Sequence, residues 1–273
     1  MIPVAMEQVR LADQFWGRWT ETVRTKLIPY QWEALNDRVE GAAPSHCIRN
    51  FRIAAGLEAG EFGGKVFQDS DVAKWLEAVA YSLLQCPDPE LERTADAAID
   101  LIVSAQQPDG YLDTYYIING LDQRFTNLRD QHELYCAGHM IEAAVAYYRA
   151  TGKRKLLDAM IRYADLLCRV FGPGEEQLHG YPGHEGIELA LMKLYDITRD
   201  ERYMQLAAFF INEIGRQPLY FEQETHDVTR KWLNFHMRYQ YNQSHLPVLE
   251  QTEAVGHAVR AMYLYAGMAD VAR

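Results

Sequence analysis

Nearly every residue from Gly138 to Tyr148 is apolar, with Glu142 as the exception, so a helix here has to be covered on almost all sides. Thr151-Gly152 then breaks the run, and glycine can take the left-handed conformation that ends a helix. Beyond the break, Leu157, Met160, Ile161, Ala164, Cys168 and Phe171 recur at helical spacing, while Lys155, Asp158, Arg162, Asp165 and Arg169 fill the opposite face. The pattern predicts an inner helix followed by an outer helix packed on it. Ile187 to Ile197 followed by the Tyr203, Ala207, Phe210, Ile211, Ile214 stripe is a second copy. Val72 to Leu84 followed by Leu91, Ala95, Ala98 and Ile102 is an earlier one. The turns at Thr151 and Thr198 lie 47 residues apart. A fixed period of this size marks one repeated helical pair, because a lone pair cannot bury its own inner face. Closed into a ring, such pairs form an α/α barrel around a cavity; stacked openly, they form a superhelix.

Helical spacing also joins Val9, Phe15, Trp16, Trp19, Val23 and Leu27, with Pro29 ending that run or starting the next. Residues 40–46 read as loop, and Asn50 to Leu57 as a short helix. The Gly-rich loop Glu58 to Gly64 lacks a following helix in the nucleotide-binding pattern and reads as turns. Asp69, Ser70 and Asp71 read as the cap of the Val72 helix, since a short side-chain oxygen satisfies an orphan N–H there. Two long connections follow, from Gln106 to about Gln131 and from Gln217 to Glu253, and long loops in compact domains usually carry function. Ala254 to Arg273 is apolar all round and reads as an uncapped inner helix with no outer partner. About eight to ten helices result, where a ring of six pairs needs twelve. The expected class is therefore all-α, an (α/α)6-type barrel over residues 1–273, incomplete at its C-terminus.

With 273 residues, 48% hydrophobic and 24% charged, the chain has the material for a large core. A net charge of −11 argues against nucleic acid as a partner. No apolar run approaches the roughly 20 residues of a membrane span, and the N-terminus lacks the order of a signal peptide. Cys47, Cys86, Cys136 and Cys168 lie far apart and form no C-x-x-C pair, which predicts neither a metal knuckle nor a disulfide framework. A reduced, cytoplasmic protein is the expectation.

Three of the nine histidines stand in corresponding places. His132, His184 and His257 each lie at or just before an inner helix, in H-E, G-H-E and G-H contexts. In a barrel these starts converge at one mouth. Imidazoles there can bind a polyhydroxylated ligand or act as acid and base. Each could instead satisfy a helix terminus, and His139, one turn inside, reads as core. No H-x-x-x-H pair supports a metal site. Carboxylates near loop ends are Asp69, Asp71, Glu133, Glu185 and Glu253, and their spacing does not show which of them face each other.

Several blocks together resemble a known family: F-Q-D-S-D-V-A-K-W-L-E-A-V-A-Y (67–81), Q-Q-P-D-G-Y-L-D-T-Y (106–115), H-E-L-Y-C-A-G-H-M-I-E-A-A-V-A-Y-Y (132–148), L-H-G-Y-P-G-H-E-G-I-E-L-A-L (178–191) and V-G-H-A-V-R-A-M-Y-L (255–264). They are similar to the N-terminal half of glycoside hydrolase family 127, the β-L-arabinofuranosidases, from about residue 9 to the last residue. The resemblance implies an (α/α)6 barrel followed by β-sandwich domains, and an arabinofuranose pocket held partly by histidines. The matching positions are His132, His184 and His257, with Gln31 in I-P-Y-Q-W-E matching a pocket glutamine. It also implies a zinc-bound cysteine nucleophile, two more cysteines and glutamates, all after the G-H-A-V-R helix. Cys47, Cys86, Cys136 and Cys168 match none of these. The expectation is a truncated member with substrate-positioning residues, no catalytic residues, no zinc and no hydrolysis of its own. Its ligand would be an arabinofuranose-containing oligosaccharide. An apolar face left on the last helix would favour self-association. Two other readings fit the same residues: a sugar epimerase or isomerase using paired histidines, and a non-catalytic carbohydrate-binding module.

Overall fold

The computed structural model describes residue 4, residues 6–224 and residues 239–273. The described chain is an all-α helical barrel. Helices α4 (Asp69–Gln85), α7 (Glu133–Thr151), α9 (Ile187–Thr198) and α12 (Ala258–Ala272) stand side by side as the inner wall, and α2 (Ile28–Leu35) packs on α4. Behind them lie α5 (Pro89–Ser104), α8 (Lys155–Val170) and α10 (Glu201–Glu213). The inner–outer alternation follows the sequence pattern. Helix α7 is buried from Leu134 to Tyr147 except at Tyr135, whereas α8 buries one stripe that includes Leu157, Met160, Tyr163 and Ala164. Gly152 ends α7 at φ 75°, the left-handed conformation expected of it. Asp88, with Pro89 in the first turn, caps α5 by accepting from the N–H groups of Glu90 and Leu91. Among the described residues no helix is long and apolar enough to cross a membrane.

The N-terminal region is one continuous run. Helix α1 (Gln14–Thr22) passes through a π-helical stretch (Val23–Leu27) into α2, with Pro29 in its first turn. The Ile28 N–H reaches back to the Val23 carbonyl, five residues away. The widened turn accommodates a proline that has no N–H to give, so Pro29 neither ends nor starts a separate helix. Helix α3 (Cys47–Ala54) begins three residues earlier than the predicted Asn50.

Three local expectations are overturned. Helix α4 begins at Asp69 with no side-chain cap, and Asp69 instead is buried and accepts from the backbone N–H (2.7 Å) and hydroxyl (2.5 Å) of Thr114. A side chain that fixes a loop 45 residues away outweighs its local capping preference, because each bond removes a buried polar group from isolation. The first long connection is not structureless: α6 (Thr114–Asn119) forms within it, capped by Asp113. The last helix is capped, since the His257 side chain accepts from the Arg260 N–H. In the second long connection, α11 (Tyr220–Gln223) is ordered and residues 225–238 lie outside the described residues.

Candidate functional site

His132 and His184 are brought together, their ring centroids 5.4 Å apart. His132 precedes α7 at φ 59°, a left-handed conformation that turns the loop abruptly into the helix. Its Nδ1 lies 2.8 Å from the Asp130 carbonyl. His184 lies two residues before the Gly186 cap of α9, its Nδ1 3.0 Å from the Glu185 carbonyl. A carbonyl only accepts, so in both rings Nδ1–H donates and Nε2 carries the lone pair. His257, heading α12, is set the other way. Its Nδ1 accepts from the Arg260 N–H at 3.5 Å, so the proton sits on Nε2. Two acceptors and one donor match a ligand with several hydroxyls, each of which both gives and takes a hydrogen bond.

Burial pushes His184 down to about 3, against the hydrogen bond to the Glu185 carbonyl, and the nearby Arg260 guanidinium acts in the same direction as burial. Its imidazole is therefore neutral across ordinary working pH. Tyr135 is the platform between the rings. It lies 4.3 Å from His184, 4.5 Å from His139 and 5.6 Å from His132, with Tyr263 of α12 at 6.2 Å. His139 is buried, as its pattern predicts, yet the Tyr263 hydroxyl reaches its Nε2 at 3.4 Å, so it forms the floor of the cluster. Sequence reading missed Tyr135 and Tyr263. Tyr135 had a signal in its spacing, since it follows His132 by three residues, one turn along the same helix face.

Glycines place the last two histidines. Gly183 packs against the Arg129 backbone and Gly256 against the Gln240 carbonyl, the latter at φ 81°; neither position has room for a Cβ. The repeated Gly-His pair is thus a packing requirement of the two loops. Arg260, buried on α12, donates to the Gly183 carbonyl and lies over the Tyr241 ring at 4.6 Å. This one side chain ties the helix of His257 to the loop of His184.

A layer of buried carboxyls lies beneath. Glu133 accepts from the Tyr111 hydroxyl and from the Phe125 N–H (2.8 Å), holding the first long loop against α7. Burial raises Glu133, with those hydrogen bonds opposing it. Burial raises Asp113 too, and Asp69 and Glu133 add to the effect. Glu188 accepts from the Gly186 N–H at 2.8 Å, its other oxygen has no protein partner among the described residues, and burial lifts it to about 7. A carboxyl raised in the fold is protonated in both states below the unfolded value near 4.3. Between there and about 7 the unfolded chain releases a proton that the folded chain keeps, so stability falls as pH rises. Glu188→Gln keeps the acceptor and removes the titration. Its unfolding free energy is expected to gain on the parent's as pH goes from 5 to 8, by up to roughly 3 kcal/mol, read as a thermal midpoint that rises relative to the parent's. Parallel midpoints across that range would contradict the assignment.

Gln31 is exposed on α2 and borders a cavity of about 480 Å³ with Asp71, Lys74 and Trp75, and Lys74 in turn lies 5.1 Å over the Tyr135 ring that packs on His184. Asp69 and Glu133 are buried supports, Glu185 is buried with neither carboxyl oxygen hydrogen-bonded among the described residues, and Glu253 is exposed. The four cysteines are unpaired and scattered. Burial raises Cys47 and Cys136 well above a normal thiol and Cys168 to about 12. Buried, protonated thiols that are not gathered do not suit zinc or nucleophilic attack.

Comparison with known proteins sets this geometry in context. The family described as "Beta-L-arabinofuranosidase, GH127 catalytic domain" matches residues 8–273. A non-reducing end β-L-arabinofuranosidase of Bifidobacterium longum subsp. longum is 41% identical over 97% of the chain, which spans 43% of that relative's length. A crystal structure of a GH127 β-L-arabinofuranosidase from Geobacillus stearothermophilus T6 superposes with a TM-score of 0.94 at 59% identity, over 97% of this chain and 42% of the other. A GH127 β-arabinofuranosidase structure matches at TM-score 0.84 and 38% identity, over 99% of this chain and 40% of the other.

Proposed function

From a chain that belongs to the GH127 β-L-arabinofuranosidase family, we propose that the histidine cluster holds a terminal β-L-arabinofuranose of an oligosaccharide. His132 and His184 accept from sugar hydroxyls through Nε2, and the His257 Nε2–H donates to a sugar oxygen. Tyr135 supplies a flat face for the ring, as aromatic side chains do for the apolar side of sugars. The observation that carries this reading is the 5.4 Å approach of His132 and His184 with Tyr135 against both. The zinc chemistry of the family is not assigned to any residue here, because the four cysteines stand apart and unpaired, and burial raises the Cys47, Cys136 and Cys168 thiols. These 273 residues are thus read as binding the sugar without cleaving it.

Titration calorimetry with methyl β-L-arabinofuranoside tests the reading. Binding is expected, weakened at least about tenfold in His184→Ala by loss of a buried hydrogen bond. A p-nitrophenyl arabinofuranoside is expected to remain intact. Unchanged affinity in the variant, or robust turnover, would overturn the proposal. A neutral His184 speaks against the isomerase reading, since a proton shuttle needs a group that titrates near its working pH.

Self-association is the expected behaviour of the same 273 residues. Phe15, Trp16 and Trp19 on α1, and Val259 and Met262 on α12, are each more than half exposed. Light scattering that returned a clean monomer at micromolar concentration would contradict this.

A further inference from the structure

Glu142 interrupts the apolar run of α7, and His139 lies one turn before it. Both are buried. Ionisable side chains rarely go inside without partners, and here the partners come from neighbouring inner helices. Lys193 of α9 donates to Glu142 Oε1. Glu77 of α4 stands 3.9 Å from the same ammonium, and the Tyr81 hydroxyl donates to it at 2.9 Å. Glu142 Oε2 lies 3.4 Å from His139 Nδ1, and the other nitrogen of that ring faces the Tyr263 hydroxyl of α12 at 3.4 Å. A chain Lys193–Glu142–His139–Tyr263 thus runs beneath the Tyr135 platform, which lies 4.5 Å from His139. It ends on a half-buried tyrosine whose ring is 5.7 Å from His184.

The protons of this chain have fixed places. Burial, with Lys74 and Lys193 acting in the same direction, pushes His139 down to about 3, so its ring is neutral and carries a single proton. Glu142, paired with Lys193, is a carboxylate and only accepts. A lone pair on Nδ1 would point at that carboxylate, so the proton sits on Nδ1 and Nε2 keeps the lone pair. The Tyr263 hydroxyl therefore donates to Nε2. The Nδ1 contact is out of line for a hydrogen bond, and a small rotation of the ring closes it, which relieves an unpaired buried donor. A solvated tyrosine hydroxyl both gives and takes. With its proton committed to His139, this one only takes.

We propose that Tyr263 is a specificity residue of the histidine site: held by the Lys193–Glu142–His139 chain, its hydroxyl accepts a hydrogen bond from one ligand hydroxyl and rejects any group there that cannot donate. Glu142 and His139 are positioning residues that act through it. This rests on the histidine cluster being a sugar site, and the experiment separates the two claims.

The probes are methyl β-L-arabinofuranoside and its three monofluoro derivatives, each with one hydroxyl replaced by fluorine, which is of similar size and cannot donate. All four are titrated against the parent chain, Tyr263→Phe and Glu142→Gln, each checked by circular dichroism for an unchanged fold. One fluorinated sugar is expected to bind the parent about tenfold more weakly than the unmodified sugar, and Tyr263→Phe should shrink that penalty to within about twofold while the penalties of the other two persist. Glu142→Gln should shrink the same penalty part of the way, because an amide can donate or accept and no longer fixes the imidazole proton. Heteronuclear NMR of the ring nitrogens reads that proton directly: His139 should be protonated on Nδ1 in the parent and a mixture of the two forms in Glu142→Gln. Should Glu142→Gln not fold, the parent spectrum and the Tyr263→Phe titrations decide. Penalties that stay equal in parent and Tyr263→Phe for all three fluorinated sugars, or a proton on His139 Nε2 in the parent, would overturn the role of Tyr263 and leave the histidine site standing. Failure of every probe to bind the parent chain would overturn both claims.

Discussion

Gly256→Ala should be among the most damaging single changes in the molecule. The added Cβ would be forced into the Gln240 carbonyl oxygen, on a backbone held at φ 81°. The left-handed conformation costs a residue with a Cβ roughly 1–2 kcal/mol, and displacing packed backbone adds roughly 1–3. A fall of the thermal midpoint on the order of 10 °C follows for a chain of this length. Because Gly256 precedes His257, the loop that gives way carries a binding residue, so sugar affinity should fall along with stability. Gly152→Ala separates the two parts of the cost. It has a similar φ of 75° with nothing within 4 Å of the new Cβ, and should lose only the conformational share. Equal losses at the two glycines, measured by thermal denaturation, would show that close packing at Gly256 is not what holds the loop.

Removing Arg260 should be nearly as costly. Arg260→Met leaves the buried Gly183 carbonyl without its donor, a loss of about 1–3 kcal/mol. It also ends the stacking over Tyr241, worth about 0.5–2 kcal/mol. The methionine fills much of the same volume, so the loss reports the polar contacts and not a cavity. Arg260→Lys keeps a charge and loses the planar fork, and should fall between parent and Met. Sugar binding should weaken in the same order, because the joint between α12 and the His184 loop loosens in that order. Denaturant unfolding that ranks the three proteins alike would remove Arg260 from the account.

The helical barrel is legible in the sequence because its signal is local. Helices α7 and α8 announce themselves by all-round and one-sided apolar patterns, and the Gly152 break falls where the structure ends α7. Asp69 shows what is not legible. Beside Ser70 and Asp71 it looks like a cap, yet its partner is Thr114, and no local pattern reports a hydrogen bond 45 residues away. Helix α6 was hidden for a related reason. At six residues it is too short to show periodicity, and it depends on Asp113 at its head. In the site, His132, His184 and His257 could be found because they recur at equivalent points of a repeat. Arg260 and Tyr263 recur nowhere, so only the fold relates them to His184. Gln31 followed from resemblance alone, and its place on a neighbouring cavity came from the packing of α2 on α4.

The account rests on three imidazoles from separate turns of the barrel serving one ligand. Following the histidine ring resonances by NMR while methyl β-L-arabinofuranoside is added tests that directly. His132, His184 and His257 should shift together along one binding curve with a single midpoint, while His46 and His179, which lie on other loops, stay in place. Separate midpoints for the three rings, or movement of His46 or His179 in their stead, would contradict it.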